Sequence, residues 1–187
     1  MQFVFEEERA AEAAAHLLQM GGGEMDRLKL IKLLYLADRQ VWIETGLTIT
    51  GDEMVSMPHG PVLSRILNLI RAENPVASEA MERFVLPGGG HKVRLRQAPP
   101  AIGRLSRYHV RILGEIYGRF GHWSISKLYD YVHQQLPEYH DPAHSSSPID
   151  PTEILKDAGQ DADQIAWRME VAAEHARVDQ SYRAPAL

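Results

Sequence analysis

The sequence predicts a mainly α-helical, compact domain with about seven or eight helices around a central buried helix, together with one small antiparallel β-hairpin. Two observations lead to this prediction. Segment 26–46 is apolar over more than half of a helix circumference, and several other segments repeat apolar residues at helical spacing. One short segment near residue 93 instead alternates apolar and basic residues, which is typical of a half-buried strand.

The predicted central helix occupies segment 26–46. Residues 33–37 are apolar without alternation, and the segment is rich in strong helix formers, which favours a helix over a strand. Asp26 can cap its start, and Gly46 can end it in a left-handed conformation. A helix that is apolar on most sides must be surrounded by other elements, so we expect this helix to be buried.

The polar residues of this helix are placed unevenly. Lys29, Lys32 and Arg39 fall within a stripe about 80° wide, at the 3.6-residue helical period. In one interpretation, the two lysines extend along buried stems and carry their ammonium groups into solvent. In the other, the stripe lines a groove that receives an acidic segment of a partner protein.

The other helices follow from spacing and from start and stop signals. We expect them over 6–20, 62–73, 76–84 and 150–158, after the capping residues Ser106 and Ser124, and from Asp161 onward. Ile165, Met169, Ala172 and Ala176 would form the inner face of the last helix. We therefore predict one domain over 1–178 and a flexible C-terminal tail over 179–187.

Composition limits the class of protein. The chain has 187 residues, no cysteine and a formal net charge of −5. The absence of cysteine excludes disulfides, thiolate metal sites and a cysteine nucleophile, and the charge argues against nucleic-acid binding over the whole surface. The sequence has no apolar run of transmembrane length, and its N-terminus carries acids where a secretion signal has lysines. We expect a cytoplasmic protein without membrane contact.

A stiff loop follows the central helix over 46–61. Residues 48–50 could pair with 54–57 around a turn at Gly51 and Asp52. Pro58 and Pro61 bracket His59, and Pro61 suits the first turn of the next helix. His59 could be a ligand or an acid–base group, although a lone histidine without a nucleophile is more often structural.

The only strongly basic stretch runs from 92 to 111 and contains no acid. It begins with the predicted hairpin, in which Val93 and Leu95 alternate with cations. Two helices around the turn at 121–123 follow it, a pattern that also fits a winged helix-turn-helix. This leaves a DNA-binding regulator as the second hypothesis, with Arg94, Arg96, Arg104, Arg107 and Arg111 as its candidate residues. The second helix carries only Lys127 as a cation, fewer donors than a DNA-reading helix usually presents, so we expect no nucleic-acid partner.

Metal, cofactor and enzyme chemistry have weak support. His133, His140 and His144 lie near acids, but their spacing matches no helical metal motif. The glycine triplet at 21–23 lacks the Lys-Ser/Thr that follows a phosphate-binding loop. No arrangement of nucleophile, base and orienting group is visible. We expect no metal, no cofactor and no enzymatic activity.

Three segments together resemble a known family, the Panacea domain, also called the SocA-like antitoxin domain. They read KLIKLLYLAD from 29, GLTITGDEMVSMPHGPVLSRI from 46 and FGHWSISKLYDYVHQQLPEY from 120, and the resemblance extends from about residue 3 to 159. It implies a mainly helical fold with a small β element and an antitoxin that neutralises a protein toxin encoded beside it. Neutralisation is usually by direct binding, but one member of the family instead acts as an adaptor that hands its toxin to a Clp-type protease. Members are paired with unrelated toxins, so the resemblance does not identify the toxin.

The resemblance also assigns candidate residues. The positions that match the family motif are Lys29, Lys32, Leu33, Tyr35, Asp38, Gly51, His59, Gly60, Pro61 and Val62. From these and the neighbouring loop, the candidate partner-binding residues are Lys29, Lys32, Asp38, Met57, His59, Gly60 and Pro61.

Overall fold

Helices make up most of the fold, as predicted. The computed structural model describes residues 3–71 and 78–183, and this part of the chain contains eight helices. The helices are α1 (Glu7–Met20), α2 (Arg27–Thr45), α3 (Ser64–Leu69), α4 (Glu79–Phe84), α5 (Arg107–Phe120), α6 (Ile125–Gln134), α7 (Pro151–Asp157) and α8 (Ala162–Arg183). Their number lies within the predicted range, and none of them is long and apolar enough to cross a membrane.

Two antiparallel sheets replace the single predicted hairpin. The strands are β1 (Glu24–Asp26), β2 (Met54–Met57), β3 (Gly60–Leu63), β4 (Val85–Pro87), β5 (Lys92–Leu95) and β6 (Ser147–Pro148). The predicted hairpin is formed by β4 and β5, but β1 adds a third strand to it. The second sheet has the strand order β3-β2-β6.

The second sheet corrects the predicted pairing of the loop after α2. Met54–Met57 pairs with Gly60–Leu63 and with residues 147–148, and not with residues 48–50. Pro61 is therefore a strand residue opposite Ser56, and the next helix starts only at Ser64. The fixed φ of proline suits an extended strand as well as a first helical turn, so the sequence alone did not separate the two.

Helix α2 begins and ends as predicted. The Asp26 carboxylate accepts hydrogen bonds from the amides of Leu28 at 2.8 Å and Lys29 at 3.4 Å. Gly46 ends the helix with a φ of 75°, in the left-handed region that favours glycine. Residues 30–38 are all buried, and the helix contacts α1, α5, α6, α7, β1 and β3.

Helix α3 is capped by a residue twelve positions before its first turn. The side chain of Asp52 is buried and accepts hydrogen bonds from the amides of Arg65 at 3.1 Å and Ile66 at 2.8 Å. Its carboxylate also accepts from the amide of Glu53 at 2.7 Å. Asp52 therefore joins the loop after α2 to the helix after β3.

Helix α8 packs through the predicted inner face. Ala172 is buried, and Ile165 and Met169 pack against the core. The helix continues to Arg183, so residues 179–183 of the predicted tail are helical, and 184–187 lie outside the described residues.

We expect Asp52→Ala to destabilise the protein more than the loss of an ordinary helix cap. It would leave the buried amide of Ile66 and the partly buried amide of Arg65 without an acceptor, and an unpaired buried group costs about 1–3 kcal/mol. Urea unfolding monitored by circular dichroism would measure the loss. The matched control is Asp150→Ala, because Asp150 caps the exposed start of α7 and such caps contribute about 1 kcal/mol. Equal losses in the two variants would contradict this account.

Candidate partner-binding site

The loop after α2 is attached to that helix by the buried carboxylate of Asp38. Asp38 is 0% exposed and accepts hydrogen bonds from the amides of Ile49 at 2.9 Å and Thr50 at 3.2 Å. The hydroxyl of Thr50 donates to its second oxygen. Burial raises the pKa of Asp38 to about 7, against the effect of these hydrogen bonds. The side chain holds the loop and presents no surface to a partner.

Lys32 hydrogen-bonds to the backbone near the other end of the loop after α2, at Pro61. Its side chain is almost fully buried, at 2% residue exposure, and its ammonium nitrogen donates to the carbonyl oxygen of Pro61 at 2.8 Å. Burial lowers the pKa of Lys32 to about 7. Gly60 leaves room for this contact, because a Cβ atom there would lie 2.8 Å from the ammonium nitrogen, and its φ is 91°.

Residues of α6 and the following loop fix the turn between β2 and β3 from the opposite side. The His133 ring lies with Nε2 3.4 Å from the carbonyl oxygen of Pro58 and with Nδ1 2.7 Å from that of Tyr129. The hydroxyl of Tyr139 donates to the carbonyl oxygen of Met57 at 3.2 Å. The backbone of this turn therefore has hydrogen-bond partners on three elements.

The turn presents few side chains to solvent. His59 at its tip is exposed, whereas Met57 and Pro58 are half-buried. Gly60 and Pro61 are buried in β3. Of the predicted partner-binding residues in this loop, only Met57 and His59 have side-chain surface for a direct contact.

Lys29 points to a different part of the fold from Lys32. Its ammonium nitrogen donates to the carbonyl oxygen of Trp123 at 2.8 Å, in the turn between α5 and α6. Burial lowers the pKa of Lys29, although Asp26 acts in the opposite direction. The Trp123 ring packs edge-on against Phe120 at 5.0 Å, so Lys29 ties the start of α2 to an aromatic cluster.

Arg39, the third member of the predicted stripe, forms a network that the sequence analysis missed. Its guanidinium contacts Glu138 at 2.7 Å and Asp157 at 2.7 Å, and the Tyr35 hydroxyl donates to Glu138 at 2.8 Å. Glu138 is buried, so Arg39 supplies its counter-charge. The stripe therefore contacts three other parts of the same chain, and neither of the two interpretations from sequence describes it.

The candidate residues thus separate by position. Lys32, Gly60 and Pro61 meet beneath the turn, which Met57 and His59 flank from outside. Asp38 holds the earlier part of the loop, and Lys29 holds the turn before α6. Glu138, Asp52 and His133 also shape this region. All three lie within the family-like segments, but the sequence did not indicate that their side chains hydrogen-bond there.

The arginines of the DNA-binding hypothesis are largely engaged within the described residues. Arg96 donates to the Glu82 carbonyl, Arg104 pairs with Glu8, and Arg111 pairs with Glu115. Arg94 and Arg107 are exposed. Carboxylates beside two of the five cations reduce the positive potential of this surface, which does not favour a nucleic-acid interface.

The histidines considered as metal ligands do not converge. His140 lies 3.3 Å from Glu153, whereas His133 is held against α6 and the turn. Across 3–71 and 78–183, no group of three or more histidines and acids could hold a metal ion.

We expect the stability of the protein to rise between pH 7 and about pH 9.5 because of Lys32. In this range the unfolded chain keeps the Lys32 proton, whose ordinary pKa is 10.5, while the folded chain loses it above about 7. The unfolded state then binds more protons, so the free energy of unfolding increases with pH. The change has an upper limit of about 3 kcal/mol. Asp38 acts in a separate pH range. Because its pKa is raised in the folded state, that state binds more protons between about pH 4 and 7, and stability falls as the pH rises through this range.

Urea unfolding of wild type and Lys32→Met across this range would test the assignment. The variant should lose most of the increase, because methionine fills a similar volume without a charge. Lys156→Met is the control, since Lys156 is exposed on α7, and it should keep the increase. An unchanged pH profile in Lys32→Met would refute the role of Lys32.

Comparison with known families identifies the family of the chain. Comparisons with curated proteins and with solved structures returned no match. The family model described as antitoxin SocA-like, Panacea domain, matches residues 30–137. The match covers more than half of the chain and includes α2 from residue 30 onward, the loop that Asp38 and Lys32 hold, and both helices around Trp123. The chain belongs to the SocA-like antitoxin family with the Panacea domain.

Proposed function

We propose that this protein is a non-enzymatic antitoxin that neutralises a protein toxin encoded nearby by binding it directly. The observation that supports this most is the exposed turn between β2 and β3, which lies in the region matched by the antitoxin family. Its backbone is fixed by Lys32, His133 and Tyr139. A turn that is already ordered loses little conformational entropy when a partner binds.

In this proposal the candidate residues have two different roles. His59 and Met57 contact the toxin, because they have side-chain surface at the turn. Lys32 and Asp38 act indirectly by holding the backbone on either side of that turn. Lys29 positions the neighbouring turn before α6. Substituting the indirect residues would therefore reduce stability and binding together.

Direct binding is sufficient for neutralisation in this proposal. Delivery of the toxin to a Clp-type protease is a second mode that would use the same complex. The two modes differ in the fate of the toxin, because blocking leaves its amount unchanged whereas delivery lowers it. Immunoblotting of the toxin in cells with and without the protease would distinguish them.

We expect His59→Asp to weaken toxin binding at least tenfold, about 1.4 kcal/mol, without changing the melting temperature. The ring is exposed, so the substitution should add a negative charge to the contact surface without disturbing the core. Isothermal titration calorimetry with the product of the adjacent gene would measure binding, and growth during co-expression would measure neutralisation. The matched control is His91→Asp, because His91 is also exposed but lies beside β5 in the other sheet.

Two results would contradict the proposal. If the adjacent gene product is harmless when expressed alone, the antitoxin function loses its basis. If that product is toxic and both histidine variants neutralise it as well as wild type does, the contact lies away from the turn.

A further inference from the structure

The last helix has a second apolar face that no described residue covers. Its inner face packs on the core, yet Trp167, Val178 and Tyr182 are 54%, 45% and 84% exposed. Together with half-buried Val171, these side chains lie within about 60° of one another at 3.6 residues per turn. Exposed apolar residues are common singly, but several of them along one face of a helix indicate an interaction surface.

The stripe is long enough for helix–helix packing. From Trp167 to Tyr182 it spans about 22 Å of helix. A groove runs along part of it and is lined by Trp167, Glu170, Val171, Glu174, His175 and Val178. Large aromatic side chains at both ends of such a stripe are typical of interface anchors.

The order of residues in the stripe is symmetric about its midpoint, between Glu174 and His175. Trp167 mirrors Tyr182, and Val171 mirrors Val178. When two copies of such a helix pack antiparallel around a two-fold axis, mirrored residues meet across the interface. An aromatic ring then meets an aromatic ring, and valine meets valine.

Charges at the edge of the stripe favour the same arrangement. Antiparallel packing brings Glu170 of one copy near Arg177 of the other, twice by symmetry. Arg177 pairs with Glu174 within its own helix, but both side chains are exposed and such pairs exchange at little cost. The same packing places Glu174 beside Glu174 of the second copy, where the two Arg177 side chains lie near enough to offset the like charges.

We propose that the protein forms a homodimer through antiparallel packing of α8 against α8 of a second copy. The helix lies after residue 137, where the family match ends, so this dimer adds to the antitoxin function and does not depend on it. It can be measured on the purified chain without a toxin.

Sedimentation equilibrium of the full chain should show a dimer at micromolar concentration. Val178→Asp should raise the dissociation constant by about a hundredfold, because each substitution enters a two-fold interface twice. The control is Ala173→Asp, since Ala173 is exposed on α8 but outside the stripe. Circular dichroism and melting temperature would establish that both variants fold. A monomeric wild type at about 100 µM would overturn the proposal. A monomer in which Val178→Asp reduces toxin binding would also overturn it, because the face would then belong to the toxin.

Cross-linking tests the register independently of stability. The chain has no cysteine, so introduced thiols report only their own positions. Val171→Cys and Val178→Cys chains should form a disulfide when they are mixed and oxidised, because these residues face each other. Neither variant should cross-link to itself, since its two thiols would be displaced by about 10 Å along the axis, beyond the reach of a disulfide. Self-cross-linking of either variant, or no cross-link in the mixture, would overturn the antiparallel register.

Discussion

The structure around the candidate site depends on two buried polar side chains of α2 that hydrogen-bond the backbone of the segment after it. Lys32 donates to the Pro61 carbonyl, and Asp38 accepts from the amides of Ile49 and Thr50. Burying such groups costs free energy unless they are hydrogen-bonded. The observed path of the loop supplies hydrogen-bond partners to both residues, so a different path would leave a buried polar group without a partner. The turn between β2 and β3 is thereby held in a single place relative to the helical core.

The features that sequence reasoning predicted are those determined by nearby residues. Asp26 and Gly46 mark the ends of α2 because capping and left-handed termination act within one helical turn. Strands β4 and β5 and the inner face of α8 followed from apolar periodicity in the same way. Features that depend on distant partners were missed. The acceptor for Lys32 lies 29 residues away, and β6 comes from near residue 147, so neither the burial of Lys32 nor the second sheet could be predicted from local pattern.

The difference between nearby and distant partners also explains why the sequence located the candidate site but not its exposed side chains. The family motif identified the correct segment, but it did not reveal which side chains point outward. Asp38 and His59 look equally suitable as contact residues in the sequence, yet one is fully buried and the other exposed. Seven of the ten motif positions are buried, so the motif specifies mainly the scaffold of the site. The two apolar faces of α8 differ in the same respect. Periodicity in the sequence predicted the inner face, whereas the outer face could be recognised only from the exposure of its side chains in the structure.

Amide hydrogen exchange at Ile49 and Thr50 tests the central role of α2 most directly. These residues lie in a loop without regular secondary structure, so their amides have no strand or helix partner, and their hydrogen-bond acceptor is the Asp38 carboxylate. We predict protection close to that of the α2 backbone in wild type, with selective loss in Asp38→Ala. Exchange at the rate of an exposed loop in the wild-type protein would show that α2 does not hold this segment, and would contradict the account.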